Sequence, residues 1–448
     1  MRCVRLLVGL SLLALSAAGA RAAELRLERD DRVLVLAPHP DDEALACGGL
    51  IQRALKMRLP VRVVFLTYGD SNEWSFAVYR KHPVVVPRAV RAMGLVRHDE
   101  AVAAARILGL GPDGLTFLGY PDFGTFEIWT EHWGEKPPLR SKLTRVTAVP
   151  YAGALRPGAP YKGEEILRDL STLLRDFRPT KVFVSHPADH NPDHRALYLF
   201  TRVALWDLEG ELAPTVFPYL VHYKGWPAPR GLRAGEALVP PPLAPAAAWT
   251  SLPVPPSARA RKQAALRAHA TQFRYDADYL LSFVRANELF GDFPALVPGA
   301  PPETPGSARS DPPEELTPAA RAAFVGVEWR SVRLEGDALV VSTALSRPLA
   351  EAVEASFYVF GYRRDRPFGR MPKLRVEVGM LGHRVLDQDR AIPADTVEVM
   401  RAARAIAVRV PLAALGRPER AFVSARTSVA EVPLDWTSWR VLELPAPR

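Results

Sequence analysis

From residue 32 onward the chain alternates short apolar runs with longer stretches of helical spacing. Residues 32–37 (RVLVLA) and 61–67 (VRVVFLT) are almost unbroken runs of β-branched residues and leucine, the pattern of strands buried on both faces. Helices are expected over 44–56 and 96–108, the second with apolar residues on one face. A third strand is expected at 115–118, a helix at 164–177 that stops before Pro179, and a fourth strand at 181–185 (KVFVS). Asp193 is expected to cap the helix that follows. Strands alternating with helices predict an α/β fold: an open, mostly parallel, Rossmann-like sheet with helices on both faces. Such sheets bind ligands at the carboxyl ends of their strands, so chemistry is sought in the loops there.

Beyond residue 240 the pattern changes. Residues 240–256 read as a proline-rich loop and 258–290 as a long helical stretch. Residues 291–317 are rich in Pro, Gly and Ser and are expected to link a domain at 24–290 to a module at 318–448. In that module, short apolar runs at 339–345, 356–360, 373–378, 406–410, 421–427 and 439–444 predict a β-sandwich-like fold.

Composition adds a compartment to this picture. Arg2 and Arg5 precede an apolar run from Leu6 to Ala20, and Ala20-Arg21-Ala22 supplies a small-x-small cleavage pattern. Residues 1–22 are therefore expected to be a signal peptide, and the mature protein to be exported, periplasmic or extracellular. An uncleaved anchor is the alternative. The run is shorter than the about 20 residues of a membrane span, and no later run is long enough, so no transmembrane segment is expected after cleavage. Losing Arg2, Arg5 and Arg21 lowers the formal charge from +9 to +6 (9 − 3). Without a dense Lys/Arg block interleaved with aromatics, this excess argues against a nucleic-acid partner and fits a mild attraction to acidic polysaccharide. Of the two cysteines only Cys47 would remain, so no internal disulfide is expected.

Two clusters carry candidate chemistry, and both follow expected parallel strands. Pro38-His39-Pro40-Asp41-Asp42-Glu43 follows RVLVLA, and His186-Pro187-Ala188-Asp189-His190-Asn191-Pro192-Asp193-His194 follows KVFVS. A catalytic zinc takes three protein ligands from His, Asp or Glu and leaves a position for water. His39 and Asp42 share one tight turn, and His194 completes a set of three if the two strands are near neighbours. Asp41 then stays uncoordinated beside the water, placed to take its proton. Read singly, these aspartates are also ordinary helix caps; two such clusters at matching strand ends favour the metal site.

The motifs Pro38-His39-Pro40-Asp41-Asp42-Glu43, with Gly48-Gly49 after them, and Asn191-Pro192-Asp193-His194-Arg195-Ala196 resemble the PIG-L/LmbE-like N-acetylglucosaminyl deacetylases. The resemblance runs over about residues 32–290, where Ala268-His269-Ala270-Thr271-Gln272 and Glu288-Leu289-Phe290 match weaker closing motifs. It implies His39, Asp42 and His194 as ligands of one zinc per chain and Asp41 as general base. It also implies that Arg97 and Asp122 contact the sugar, although Arg97 also suits an ion pair with Glu100, and Asp122 a turn before Gly124. The chain departs from the family where many members carry His-x-Asp-His. Asn191 stands at the first histidine, and His190 lies one residue earlier. Either His190 polarises the substrate carbonyl or Asn191 donates a weaker hydrogen bond. His186 either orients a carboxylate or is packed.

The expected activity is removal of the acetyl group from an N-acetylated amino sugar or envelope polysaccharide. Alternatives are a metal-dependent amidase on a non-sugar N-acyl compound and a silent glycan-binding protein, which would have no need of Asp41. The C-terminal module is expected to bind polysaccharide or to pack on the catalytic domain. Trp329, Trp436 and Trp439 suit either sugar stacking or a sandwich core.

Overall fold

The computed structural model describes residues 23–71, 86–241, 243, 247–303, 312, 316–430 and 432–445. The expected signal peptide and part of the expected linker lie outside these residues. In chain order the first half runs β1 (Ala23–Glu24), β2 (Val33–Ala37), α1 (Asp42–Lys56), β3 (Val61–Thr67), α2 (Pro87–Leu108), β4 (Leu115–Tyr120), α3 (Thr125–Glu131), α4 (Gly163–Phe177), β5 (Lys181–Ser185), α5 (Pro192–Asp207) and β6 (Thr215–Tyr219). There follow β7 (Trp249–Pro253), α6 (Pro256–Ala268), α7 (Ala270–Tyr275), α8 (Ala277–Leu281) and β8 (Asn287–Gly291).

Five strands form a parallel sheet in the order β4-β3-β2-β5-β6. Strand order reverses between β2 and β5, which pair directly through Val33↔Lys181 and Val35↔Phe183. The loops after these two strands therefore open into the crevice where such sheets bind ligands. Every residue of VLVLA is buried, as a strand covered on both faces requires.

Gly48 and Gly49 let α1 approach its neighbours closely. The Gly49 and Leu50 N–H groups donate to the Glu288 carboxylate at 2.6 and 2.8 Å, and Lys262 Nζ reaches the same carboxylate at 2.7 Å. A Cβ on residue 49 would lie 2.6 Å from a Val254 methyl carbon, so a larger residue would push β7 away.

The expected helix over 258–290 is shorter than its apolar pattern suggests. It breaks at His269 and Asp276 and gives way to β8, which pairs antiparallel with β7 inside the expected proline-rich loop (Thr250↔Phe290). Pairing across the chain overrides local propensity here. Asp193 likewise is not the cap of α5. Asn191 is, its side-chain oxygen accepting the Asp193 N–H, which frees the Asp193 carboxylate for the site.

After α9 (Pro318–Ala322) come β9 (Val327–Glu335), β10 (Ala338–Leu345), β11 (Val353–Tyr362), β12 (Lys373–Val378), β13 (His383–Asp387), β14 (Arg390–Ile392), β15 (Glu398–Ala402), β16 (Ala405–Pro411), β17 (Arg420–Val429), β18 (Val432–Trp436) and β19 (Arg440–Glu443). They form two antiparallel sheets, β15-β16-β10-β9 and β14-β13-β12-β11-β17-β18, with β19 beside β17. Their inner faces share one core that includes Val341, Val408, Phe357 and Val423. Alternate residues of β11 point the other way: Tyr358, Phe360 and Tyr362, with Phe422 of β17, belong to the core of the α/β half. The larger sheet is thus buried on both faces, which explains why SFYVFGY lacks polar alternation.

Trp129 of α3 is the centre of that junction. It is fully buried, with Phe368, Phe422, Phe360 and Trp439 ring centres 5.2, 5.2, 5.9 and 6.1 Å away. Polar contacts fasten the rim: Tyr362 donates to Asp207 at 2.9 Å, Arg420 grips Glu209 at 2.9 and 3.0 Å, and Arg375 meets Glu131 at 3.0 Å.

Candidate metal centre and active site

The turn after β2 puts Asp41 at φ +130, outside the regions an L-residue prefers. Such strain costs about 1–3 kcal/mol and survives only where neighbours impose it. Glu43 does so, one carboxylate oxygen accepting the Asp41 N–H at 2.9 Å while the other lies 3.0 Å from His269 Nε2. His269 of the closing motif therefore supports the turn that presents Asp41. The same turn brings His39 and Asp42 onto one side.

His39 Nδ1, Asp42 Oδ2 and His194 Nε2 form a nearly equilateral triangle with edges of 3.3, 3.2 and 3.3 Å. Tetrahedral zinc, with ligands at about 2.0–2.1 Å, sets its donor atoms about 3.3–3.4 Å apart. The spacing and the two-imidazole, one-carboxylate chemistry both suit such an ion, and all three residues are buried.

The far side of each imidazole faces carboxylates. His39 Nε2 lies 3.0 Å from Asp122 Oδ1 and 3.3 Å from Asp193 Oδ2. His194 Nδ1 lies 3.1 Å from Asp189 Oδ2. A carboxylate behind a histidine fixes its tautomer and raises its basicity as a ligand. Asp193 also accepts the Phe123 and Thr125 N–H groups, tying the loop after β4 to His39. Asp189 accepts the N–H groups of Asn191, Val221 and His222 at 2.9, 3.0 and 2.9 Å, joining the loops after β5 and β6.

These contacts set the charges. Burial lowers the affinity of His194 for a proton, but Asp189 and Asp42 outweigh it and lift its pKa to about 9. His39 is held well above its usual value, Asp122 overcoming burial. Burial pushes Asp42 up, yet His194 and His39 hold it well below the carboxylate range. Asp41 differs: burial raises it to about 7 against the pull of Arg97, whose guanidinium lies 3.6 Å away.

A cavity of about 730 Å³ opens over this group, lined by His39, Asp41, Phe123, His190, His222 and Tyr275 among others. Arg97 and Asp122, expected at sugar hydroxyls, also line it, but both make close polar contacts within the protein. Arg97 donates to Gly69 O at 2.7 Å and Pro40 O at 2.6 Å, while Asp122 faces His39 and accepts the Ser71 N–H at 2.7 Å. The alternative partner for Arg97, Glu100, instead accepts from Thr271. His190 and Asn191 both reach the cavity, with the Asn191 side-chain oxygen committed to its cap. His186 is packed, stacking on Trp249 at 5.9 Å and accepting the Ala188 N–H.

Sequence reasoning left Asp189, His222 and Tyr279 without roles. His222 stands 4.8 Å, ring to ring, from His194, and burial depresses its pKa to about 4. Its Nδ1 lies 3.3 Å from the Tyr279 hydroxyl. Asp189 sat inside the His-rich cluster and was findable; His222 follows β6, and no motif marks it.

Residues 34–205 match the PIG-L family, described as GlcNAc-PI de-N-acetylase. A probable N-acetyl-alpha-D-glucosaminyl L-malate deacetylase 2 of Bacillus anthracis is 28% identical over 178 residues, which cover 38% of this chain and 74% of the relative. A 1D-myo-inositol 2-acetamido-2-deoxy-alpha-D-glucopyranoside deacetylase of Mycobacterium sp. (strain KMS) is 28% identical over 184 residues. That match covers 40% of this chain and 52% of the relative, so the chain spans about half its length. The N,N'-diacetylchitobiose deacetylase of Pyrococcus horikoshii aligns over 54% of this chain and 71% of its own, at 20% identity and a TM-score of 0.32. Residues 34–205 are a PIG-L domain, and a β-rich module is packed behind it.

Proposed function

We propose that this protein is a zinc-dependent hydrolase that removes the acetyl group from an N-acetylglucosamine-type sugar. The observation that carries the reading is the His39/Asp42/His194 triangle with Asp41 beside it, set in a PIG-L domain. Its curated relatives are deacetylases named for substrates of this type.

Zinc held by His39, Asp42 and His194 would polarise the amide carbonyl and acidify water. Asp41 supplies the base. Burial raises its affinity for a proton, which suits it to take one from the attacking water and pass it to the departing amine. Arg97, anchored on two carbonyls, keeps that carboxylate in place. His190, at the cavity wall, donates to the oxygen that gains negative charge as the tetrahedral centre forms. Asp122, Asp193 and Asp189 hold the two histidines in their ligating orientation. Phe123, 55% exposed with its ring 6.3 Å from His39, offers an apolar face to a pyranose ring.

Export, with an envelope or extracellular glycan as substrate, is part of this proposal. Among the described residues no helix is long and apolar enough to cross a membrane. The test is acetate release by the purified chain from N-acetylglucosamine, chito-oligomers and envelope polysaccharides. Activity should vanish with a chelator and return with zinc. A metal-loaded protein that releases acetate from none of them refutes the proposal.

A further inference from the structure

We propose that Trp436, from the C-terminal module, is a positioning residue of the active site, fixing His190 at the cavity wall. This rests on the deacetylase reading, in which His190 is the donor to the developing oxyanion. Trp436 ends β18 at the edge of the larger sheet, where it pairs with Arg426 of β17. Its half-buried ring reaches across to the loop between β5 and α5. His190 meets it edge-on, 5.9 Å between centres at 85°. On its other side the His190 ring packs against Tyr223 at 5.0 Å, while the His190 backbone N–H donates to the His222 carbonyl at 2.8 Å. The imidazole is therefore held between one ring of the α/β half and one ring of the module.

Trp436 touches the site segment a second time. The Arg195 guanidinium lies 4.0 Å from the Trp436 ring centre and 4.9 Å from that of Phe126. Arg195 directly follows His194 in the first turn of α5. At the far end of the same helix the module holds Trp206 through Phe422 at 4.8 Å and Asp207 through Tyr362. The module thus grips both ends of the helix that carries Asp193 and His194. With Arg195 over the Trp436 ring and His190 edge-on to it, the ring acts as a buttress for the site segment. Trp439, 3% exposed in the shared core, is unavailable to a glycan.

The geometry assigns the module a part in catalysis, through placement of one side chain. Placing errors of about an ångström cost up to about 10²-fold in rate. Trp436→Ala should therefore lower kcat about ten-fold or more, leave KM nearly unchanged and keep a full complement of zinc, since the metal trio does not touch Trp436. Trp436→Leu, which keeps apolar bulk, should behave alike, and Trp436→Phe should restore most of the rate. The deciding measurement is a double-mutant cycle: in a His190→Ala background, Trp436→Ala should cost nothing further. An equal loss in both backgrounds, or full activity in Trp436→Ala, overturns the assignment. If the parent itself releases no acetate, the deacetylase reading fails separately. The placement is then read from the His190 ring-proton NMR signal, which Trp436→Ala should shift; an unmoved signal refutes it.

Discussion

Replacing Asp189 by Asn separates the electrostatic role of that carboxylate from its shape. One oxygen faces His194 Nδ1 and accepts the Val221 and His222 N–H groups, and the other accepts the Asn191 N–H. In its best orientation the amide oxygen keeps the first set, and its NH2 group then confronts the Asn191 N–H. That one mismatched buried donor costs about 1–3 kcal/mol of stability. The metal loses more specifically, because a neutral amide no longer raises the basicity of His194. Losing a carboxylate behind a ligating histidine weakens metal binding about 10–100-fold, or about 1.4–2.8 kcal/mol. In the metal-free protein the His194 pKa should fall from about 9, since Asp189 is the leading group that raises it. Competition against a chromophoric chelator measures the first effect and NMR titration of the imidazole the second. A folded Asp189→Asn protein with parental zinc affinity and an unmoved His194 titration would refute the reasoning.

Other outcomes are expected at the base, the junction and the metal trio. Asp41→Asn should retain zinc while kcat falls about 10²–10⁴-fold and KM barely changes; a variant that keeps most of its rate removes Asp41 from the mechanism. Trp129→Ala should destabilise by about 3–5 kcal/mol in chemical denaturation and loosen both halves together, because its ring lies in their shared core. An unfolding curve in which only one half responds would contradict that core. In the metal-free protein His194, with its pKa lifted to about 9, should carry a proton at pH 7, and His39 is held well above its usual value by Asp122. Zinc requires neutral imidazoles, so binding should release protons, that of His194 among them, and tighten as pH rises toward about 9. Calorimetry in two buffers of different ionisation enthalpy counts the protons, and zero net release would be inconsistent with the assigned charges.

The parallel strands were legible because a strand covered on both faces must be apolar through its buried stretch, as Val33–Ala37 and residues 182–184 are. His39, Asp42 and His194 could be read as one group because their loops follow such strands. Whether the strands touch was a question for the structure, and β2 and β5 pair directly. Strands β7 and β8 were not legible. WTSLP and NELFG carry little β pattern of their own and are strands only because each pairs with the other. Roles were harder still to read than elements. Asp189, Asp193 and Asp122 are the same residue type near the same motifs, and only the direction of each side chain shows that all three serve the histidines. His222 lies 28 residues beyond His194 in the chain (222 − 194), and the pairing of β5 with β6 brings it near. The two-sided burial of β11 had a trace in SFYVFGY, a run with no polar alternation. Its meaning depended on a partner surface that the sequence does not name.

The buried charges around the trio argue together for a divalent ion. Asp42, Asp122 and Asp189 are all held ionised against burial by the histidines and cations they face. In the metal-free state the carboxylates favour protons on the imidazoles instead, lifting His194 to about 9 and His39 well above its usual value. Exchanging such protons for a dication limits the change in buried charge, so metal entry avoids much of the desolvation cost of an added net charge. Asp41 responds differently, because it is not one of the three ligands. Burial raises it to about 7, and a dication a few ångströms away would lower it, as any opposite charge lowers a carboxylate. Metal binding would then favour the ionised form of Asp41, the form that acts as a base. The charge pattern that admits the ion also readies the group that takes the proton.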